Sequence, residues 1–243
     1  PSRTLRIPRQ QRSQSQWRLQ HWKLGSEEGS SMGSEEHPLS MFDDPVRMHW
    51  LTLQFGGDPT HVTIGGASAG GASVDLHMTA YGGRDDNLFH AAAAESQSFG
   101  YQLTISESQY PDGPGGLPNY MWSNTIDGTF TTDYTYNLFA EGKFVKVPSI
   151  FGSTTNEGTV FTPTNLSSTQ DVHDFLRDNF PKLKKSQLAH IDILYPKAEQ
   201  HPGKGVYWKT GANAYGEMRY NCPGLYISSA ILERGMPSSW NYQ

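Results

Sequence analysis

The run Gly66-Ala67-Ser68-Ala69-Gly70 constrains this chain more than any other stretch. It follows His61-Val62-Thr63-Ile64-Gly65, a short β-branched segment of the kind that forms a buried strand. It leads into Ala69 to Ala80, where Val74, Leu76, His77 and Met78 give a helical stretch turned partly inward. A strand that becomes a helix within so few residues needs a tight, strained turn. Glycine suits both flanking positions, because a side chain at 66 or 70 is expected to collide with the neighbouring strand and helix. The pattern is G-x-S-x-G, the strand–turn–helix elbow that lifts a serine hydroxyl above the end of a sheet. The Ala69 amide and the start of the helix then point at the same place. That amide can bind an oxyanion, and the helix dipole favours negative charge there. A phosphate loop is excluded, because no Lys-Ser/Thr pair follows Gly70-Gly71 and G-x-G-x-x-G is absent.

The remaining pattern places this turn in an α/β domain. Leu88 to Ala94 and Val145 to Phe151 read as two more interior strands, the second ending at Gly152. Helical stretches follow at about 170–179, 184–195 and 212–234, and Trp240-Asn241-Tyr242 reads as the start of a strand. Residues 46–53, with Val46, Met48, Trp50, Leu51 and Leu53, read as the end of a buried helix closed by Gly56-Gly57. Alternation of strand and helix predicts a mostly parallel sheet with helices on both faces. The stretch from Pro111 to Pro118 is rich in glycine and proline and reads as loop. Residues 1–45 stand apart. Arg3, Arg6, Arg9, Arg12 and Arg18 sit among Gln and Ser, followed by Gly-Ser-Glu runs. So few apolar groups cannot offset ordering entropy, and the segment reads as a disordered or foreign tail ahead of a domain at 46–243.

Composition removes several function classes. The net charge of −5 argues against a nucleic-acid binder, which would show a basic face. No apolar run reaches the length of about 18 residues that a membrane span needs. Cys222 is the single cysteine, so it has no internal disulfide partner, and burial as a small apolar residue is the expectation. Asn165-Leu166-Ser167 is a glycosylation sequon. The first residue is Pro1 and no secretory signal is visible, which reads as a fragment or a processed product.

Several segments together resemble the type B carboxylesterase family, which includes cholinesterases and many fungal lipases. They are Phe55-Gly56-Gly57-Asp58-Pro59, the elbow Gly66 to Ser73, Ile150-Phe151-Gly152-Ser153-Thr154-Thr155-Asn156-Glu157-Gly158-Thr159, and Arg219-Tyr220-Asn221-Cys222-Pro223. The phrases Ala93 to Ser98 and Asn213 to Tyr220 fit the fungal branch. The resemblance covers roughly residues 47–243 and implies an incomplete α/β-hydrolase fold. It implies a serine esterase or lipase with Ser68 as nucleophile, Glu157 as triad acid and the Ala69 amide in the oxyanion hole. Ser98 matches a family position that can hydrogen-bond the acid. The order serine then acid is the one this fold requires. Glu157 also follows a strand by a few residues, at the carboxyl end where catalytic groups of open α/β sheets collect. Ala67 stands where most of the family has glutamate. Phe99, Tyr120 and Trp122 are candidates for pocket walls or for core packing alike. The substrate would be a small-molecule or lipid ester, with no metal or organic cofactor. The family also suggests secretion.

Three family features have no counterpart here. The candidate bases after Glu157 are His173, His190 and His201, and none lies in the Gly-x-x-His setting that the family uses; that histidine would fall beyond Gln243. No His-Gly-Gly oxyanion loop precedes the elbow. The interval from Ser68 to Glu157 is shorter than the family's by a few dozen residues, with the break expected near Tyr110-Pro111. The expectation is therefore a truncated esterase lacking parts needed for turnover, marginally stable and prone to aggregate where sheet edges lie open. The alternative is a non-catalytic module of the same fold used for binding or adhesion.

Overall fold

The computed structural model describes residues 52–97, 103–104, 124–236 and 238–243. The tail at 1–45, the glycine- and proline-rich stretch at 111–118, and Ser98, Phe99, Tyr120 and Trp122 lie outside the described residues.

Four strands form one parallel sheet: β1 (Thr63–Ala67), β2 (Ala91–Glu95), β5 (Ser149–Gly152) and β6 (Ser239–Tyr242), in the order β1-β2-β5-β6. Two short strands, β3 (Leu103–Thr104) and β4 (Thr125–Ile126), pair separately. Helix α1 (Ala69–Gly83) packs on β1 and β2, and α6 (Cys222–Glu233) packs on β5 and β6. Helix α2 (Thr135–Glu141), which the sequence pattern did not disclose, bridges α1 and α6. It stops at Gly142, whose φ of 79° ends the helix in the left-handed region.

The core lies between these helices and one face of the sheet. Ala92, Ala94 and Phe151 point into it and meet Val74 and Met78 of α1, Phe139 of α2, and Ile227 and Ile231 of α6. The opposite face is different. Gly65, Ala93, Ile150 and Trp240 fall in one register row across the four strands. Ile150 is 40% exposed and Trp240 55% exposed. Among the described residues the helices that pack on the sheet therefore cover one side, which is the form its incompleteness takes.

A second apolar cluster lies beside the sheet. It joins α3 (Thr169–Asn179), α4 (Lys185–Leu194) and α5 (Trp208–Gly216) through Val172, Phe175, Leu176, Leu188, Ile191 and Tyr215. Ser168 and Asp171 close a capping box at the start of α3. The single helix expected at 212–234 is a continuous helical run with a π segment at Glu217–Asn221 between α5 and α6. Pro223, lacking an N–H, sits in the first turn after that segment and disrupts the regular bonding.

Two strands start later than the apolar runs suggested. Before β2, Asp85 Oδ1 accepts from the Asn87 amide and turns the chain, with Asn87 at φ 55°. Before β5, the Val145 amide donates to the Met78 carbonyl and Pro148 has no amide to offer a ladder. Of the expected buried helix end at 46–53, residues 52–54 are described as helical, with Leu53 and then Phe55 largely exposed. Cys222 is exposed, not buried: it opens α6 and faces the open hollow at the carboxyl end of β5 and β6, beside Ser153, Tyr220 and Asn241.

Candidate active site

Parallel pairing puts the carboxyl ends of all the strands at one edge. Ala67, Glu95, Gly152 and Tyr242 occupy the last shared register row. The next residue of each of the first three strands is a serine: Ser68, Ser96 and Ser153. Their amides continue the ladder one step past the sheet, to the carbonyls of Glu95, Gly152 and Tyr242 at 2.9, 2.7 and 3.1 Å. Neighbouring strands are about 4.8 Å apart, so these serines form an evenly spaced row along the rim.

Ser68 has φ 55° and ψ −120°, a strained conformation for a residue with a side chain. The strain is held by the Ser68 amide bond on one side and by Ala72 N donating to Ser68 O at 2.9 Å on the other. The Ser68 hydroxyl makes no capping bond to the helix it precedes. The first amides of α1, Ala69 among them, have no partner within the helix and face the same edge. The steric expectation holds at Gly66, where an added Cβ would run into the carbonyl of Gly70. It does not hold at Gly70, where a Cβ would meet no described atom within 4 Å. The second tight position is Gly71, whose Cβ would lie 2.9 Å from Glu95 O and 3.1 Å from Gln97 Cβ. The helix is pressed on strand β2 one residue further along than the motif implied.

Glu157 is 9% exposed and sits in the loop after β5. Its Oε1 accepts from Ser96 Oγ at 2.6 Å and from the Thr154 amide at 2.7 Å. The loop is pinned from behind. Gly158 lies against the α5 backbone at Ala212, Thr162 N donates to Gly158 O, and Trp208 Nε1 donates to Thr162 O at 3.3 Å. Phe161 stacks on Tyr220 with centroids 5.5 Å apart. Glu157 is thus carried by the second cluster, and Ser68 by the first.

Ser96 is the residue that the sequence reading missed. Its own φ is 47°, so β2 ends in a strained serine as β1 does. The signal was present in the repeat of strand-then-serine, but two serines, 96 and 98, lay in the same stretch. Ser98 lies outside the described residues, and the described bond to the acid comes from Ser96.

The described histidines lie elsewhere. His61 and His90 meet edge-on at the amino ends of β1 and β2. His77 packs on Phe130, His173 Nε2 pairs with Asp192 at 2.8 Å, and His201 packs on Trp208. The hollow around Glu157 is lined by residues such as Asn156, Asn213, Asn221 and Gln243, without a histidine. Near that rim, partial burial and then the Glu217 charge push the Cys222 thiol up. Among the described residues no group of three His, Cys, Asp or Glu is placed to hold a metal ion. No described helix is long and apolar enough to cross a membrane.

Residues 41–114 match the family model described as Carboxylesterase family. Secreted lipase 4 of Gibberella zeae is 25% identical over 76% of this chain and 42% of its own length. Lipase 2 of Geotrichum candidum is 27% identical over 65% of this chain and 37% of its own. Carboxylesterase patB of Penicillium expansum is 25% identical over 80% of this chain and 42% of its own. The crystal structure of Aspergillus niger EstA superposes with a TM-score of 0.75 at 33% identity, over 80% of this chain and 46% of that one. The chain thus spans less than half the length of each of these relatives.

Proposed function

The chain belongs to the carboxylesterase family, and from that premise we propose that it carries the nucleophile half of a serine ester hydrolase. Ser68 attacks the ester carbonyl, gives up its proton to a histidine base, and becomes acylated as the C–O bond breaks and the alcohol leaves with that proton; water then cleaves the acyl-serine and releases the carboxylic acid. The Ala69 amide, at the positive end of α1, stabilises the oxyanion. Glu157 is the acid that orients a histidine, and Ser96 holds Glu157. Hydrolysis of a small-molecule or lipid ester needs a general base, since a serine hydroxyl is a weak nucleophile by itself at neutral pH. No described histidine lines the hollow at Glu157, so we propose that this chain alone turns over slowly or not at all. The names of the secreted fungal lipases favour secretion of the whole protein.

The observation that carries this reading is the shared rim. A serine strained at φ 55° between strand and helix stands on the same sheet edge as a 9%-exposed carboxylate held by the next strand's serine. The test is labelling of the purified chain by a fluorophosphonate probe, with p-nitrophenyl butyrate turnover in parallel. Labelling that disappears in Ser68→Ala supports the assignment. Labelling of that variant at the parent rate removes Ser68 from the role and leaves the non-catalytic module as the better reading.

A further inference from the structure

Gln97 is 1% exposed, and neither atom of its amide has a hydrogen-bond partner among the described residues. It directly follows Ser96, which holds Glu157. Its side chain runs between two helices, against Gly71 on one and Gly224 on the other. On α1, a Cβ at Gly71 would sit 3.1 Å from Gln97 Cβ. On α6, a Cβ at Gly224 would sit 2.8 Å from Gln97 Nε2. Gly71 is three residues from Ser68, in the first turn of the elbow helix. One side chain therefore abuts the helix behind the nucleophile position, the helix that backs Phe151 of β5, and the strand end that bonds the acid.

Resting on the esterase reading, we propose that Gln97 is a positioning residue that works by its length. It wedges α1 and α6 apart and thereby holds Ser96 at its strained φ, with its hydroxyl on Glu157. A buried amide without partners contributes no hydrogen bond to the described fold and costs stability. Among the described residues what remains is volume, filled by an unbranched chain pressed on Gly71 and Gly224. Shortening that chain lets β2's end relax and moves the acid relative to the elbow. Misplacements on the order of 1 Å at a reacting centre cost up to about a hundredfold in rate.

The experiment compares Gln97→Met, which keeps the length and drops the amide, with Gln97→Ala, which removes the wedge. Two readouts are followed: the rate of Ser68 labelling by a fluorophosphonate, and the NMR shift and exchange protection of the Thr154 and Ser96 amides. The Thr154 amide donates to Glu157, so it reports the acid's placement without needing activity. Gln97→Met is expected to label within about twofold of the parent and to keep both amide signals. Gln97→Ala is expected to label about tenfold or more slowly, with the Thr154 amide shifted. Should Gln97→Ala not fold, Gly224→Ala presses on the wedge from the other side and is expected to slow labelling and move the same amides. Methionine behaving like alanine, or alanine (or, in its place, Gly224→Ala) behaving like the parent, overturns the proposal. A parent chain that takes no label is the behaviour of a serine without its base, and the amide signals then decide the role of Gln97; label carried by a residue other than Ser68 sinks the esterase reading instead.

Discussion

Ser96 Oγ donates to Glu157 Oε1 at 2.6 Å across 61 residues of sequence, and that bond joins the two halves of the candidate site. The serine ends a strand of the sheet, while the glutamate is carried by a loop anchored in the helical cluster. Removing the hydroxyl leaves Oε1 with the Thr154 amide alone. Hydrogen bonds to charged groups are worth about 1.5–3 kcal/mol, so Ser96→Ala should lower stability in urea unfolding by about that much and shift the Thr154 amide in NMR spectra. An unchanged midpoint and amide shift would show that this bond does not hold Glu157.

The glycines of the elbow make opposite predictions. Gly66→Ala drives a Cβ into the Gly70 carbonyl and should cost about 3 kcal/mol or more in urea unfolding. Gly70→Ala meets no described atom within 4 Å, and alanine favours helix, so its change should stay within about 1 kcal/mol. Equal losses at both positions would show that the tight contact is not where the geometry puts it.

Asp75, on α1, is completely buried with neither oxygen hydrogen-bonded among the described residues, and burial pushes its carboxyl well above the usual range. At a pH below about 4 the folded and unfolded chains both carry the proton, and the group costs nothing extra. Above that, the unfolded chain ionises while the folded one stays neutral, so stability falls by about 1 kcal/mol per pH unit until the folded group titrates. Thermal melts of Asp75→Asn should therefore lose less between about pH 4 and about pH 8 than those of the parent. Parallel pH curves for the two would exclude this account.

Cys222 is exposed, yet its thiol is pushed up by partial burial and by Glu217. Thiolate is the reactive form, so iodoacetamide at about pH 7.5 should modify it severalfold more slowly than an unstructured cysteine peptide. Glu217→Gln should bring the two rates closer.

The sheet face that no described helix covers presents Ile150 beside Trp240 in register. Exposed apolar surface of this kind promotes association. The double variant Ile150→Thr/Trp240→Thr should lower dye binding and light scattering on heating, with little change in the core on the other face. No change in either signal would place the sticky surface elsewhere.

The elbow and the parallel strands were legible in the sequence because each rests on a local signal. A β-branched run into Gly66-Ala67-Ser68-Ala69-Gly70 fixes a strand, a turn and a helix by sterics alone. By its neighbours alone Glu157 reads as an exposed loop carboxylate; the family resemblance singled it out, and its burial came from the tertiary structure. Helix α2 was not legible, since its seven residues are too short for a periodic pattern and are held by packing between α1 and α6. The exposure of Cys222 was equally hidden, because it depends on which side of a long helical run faces the core. The role of Gly71 in place of Gly70, and of Ser96 beside Glu157, depends on distances between segments far apart in the chain. Local sterics and hydrophobic period are written in neighbouring residues, and the sequence determined those. Which serine reaches the acid, and which glycine meets the next strand, follows from how two clusters pack, and only the tertiary structure decided that.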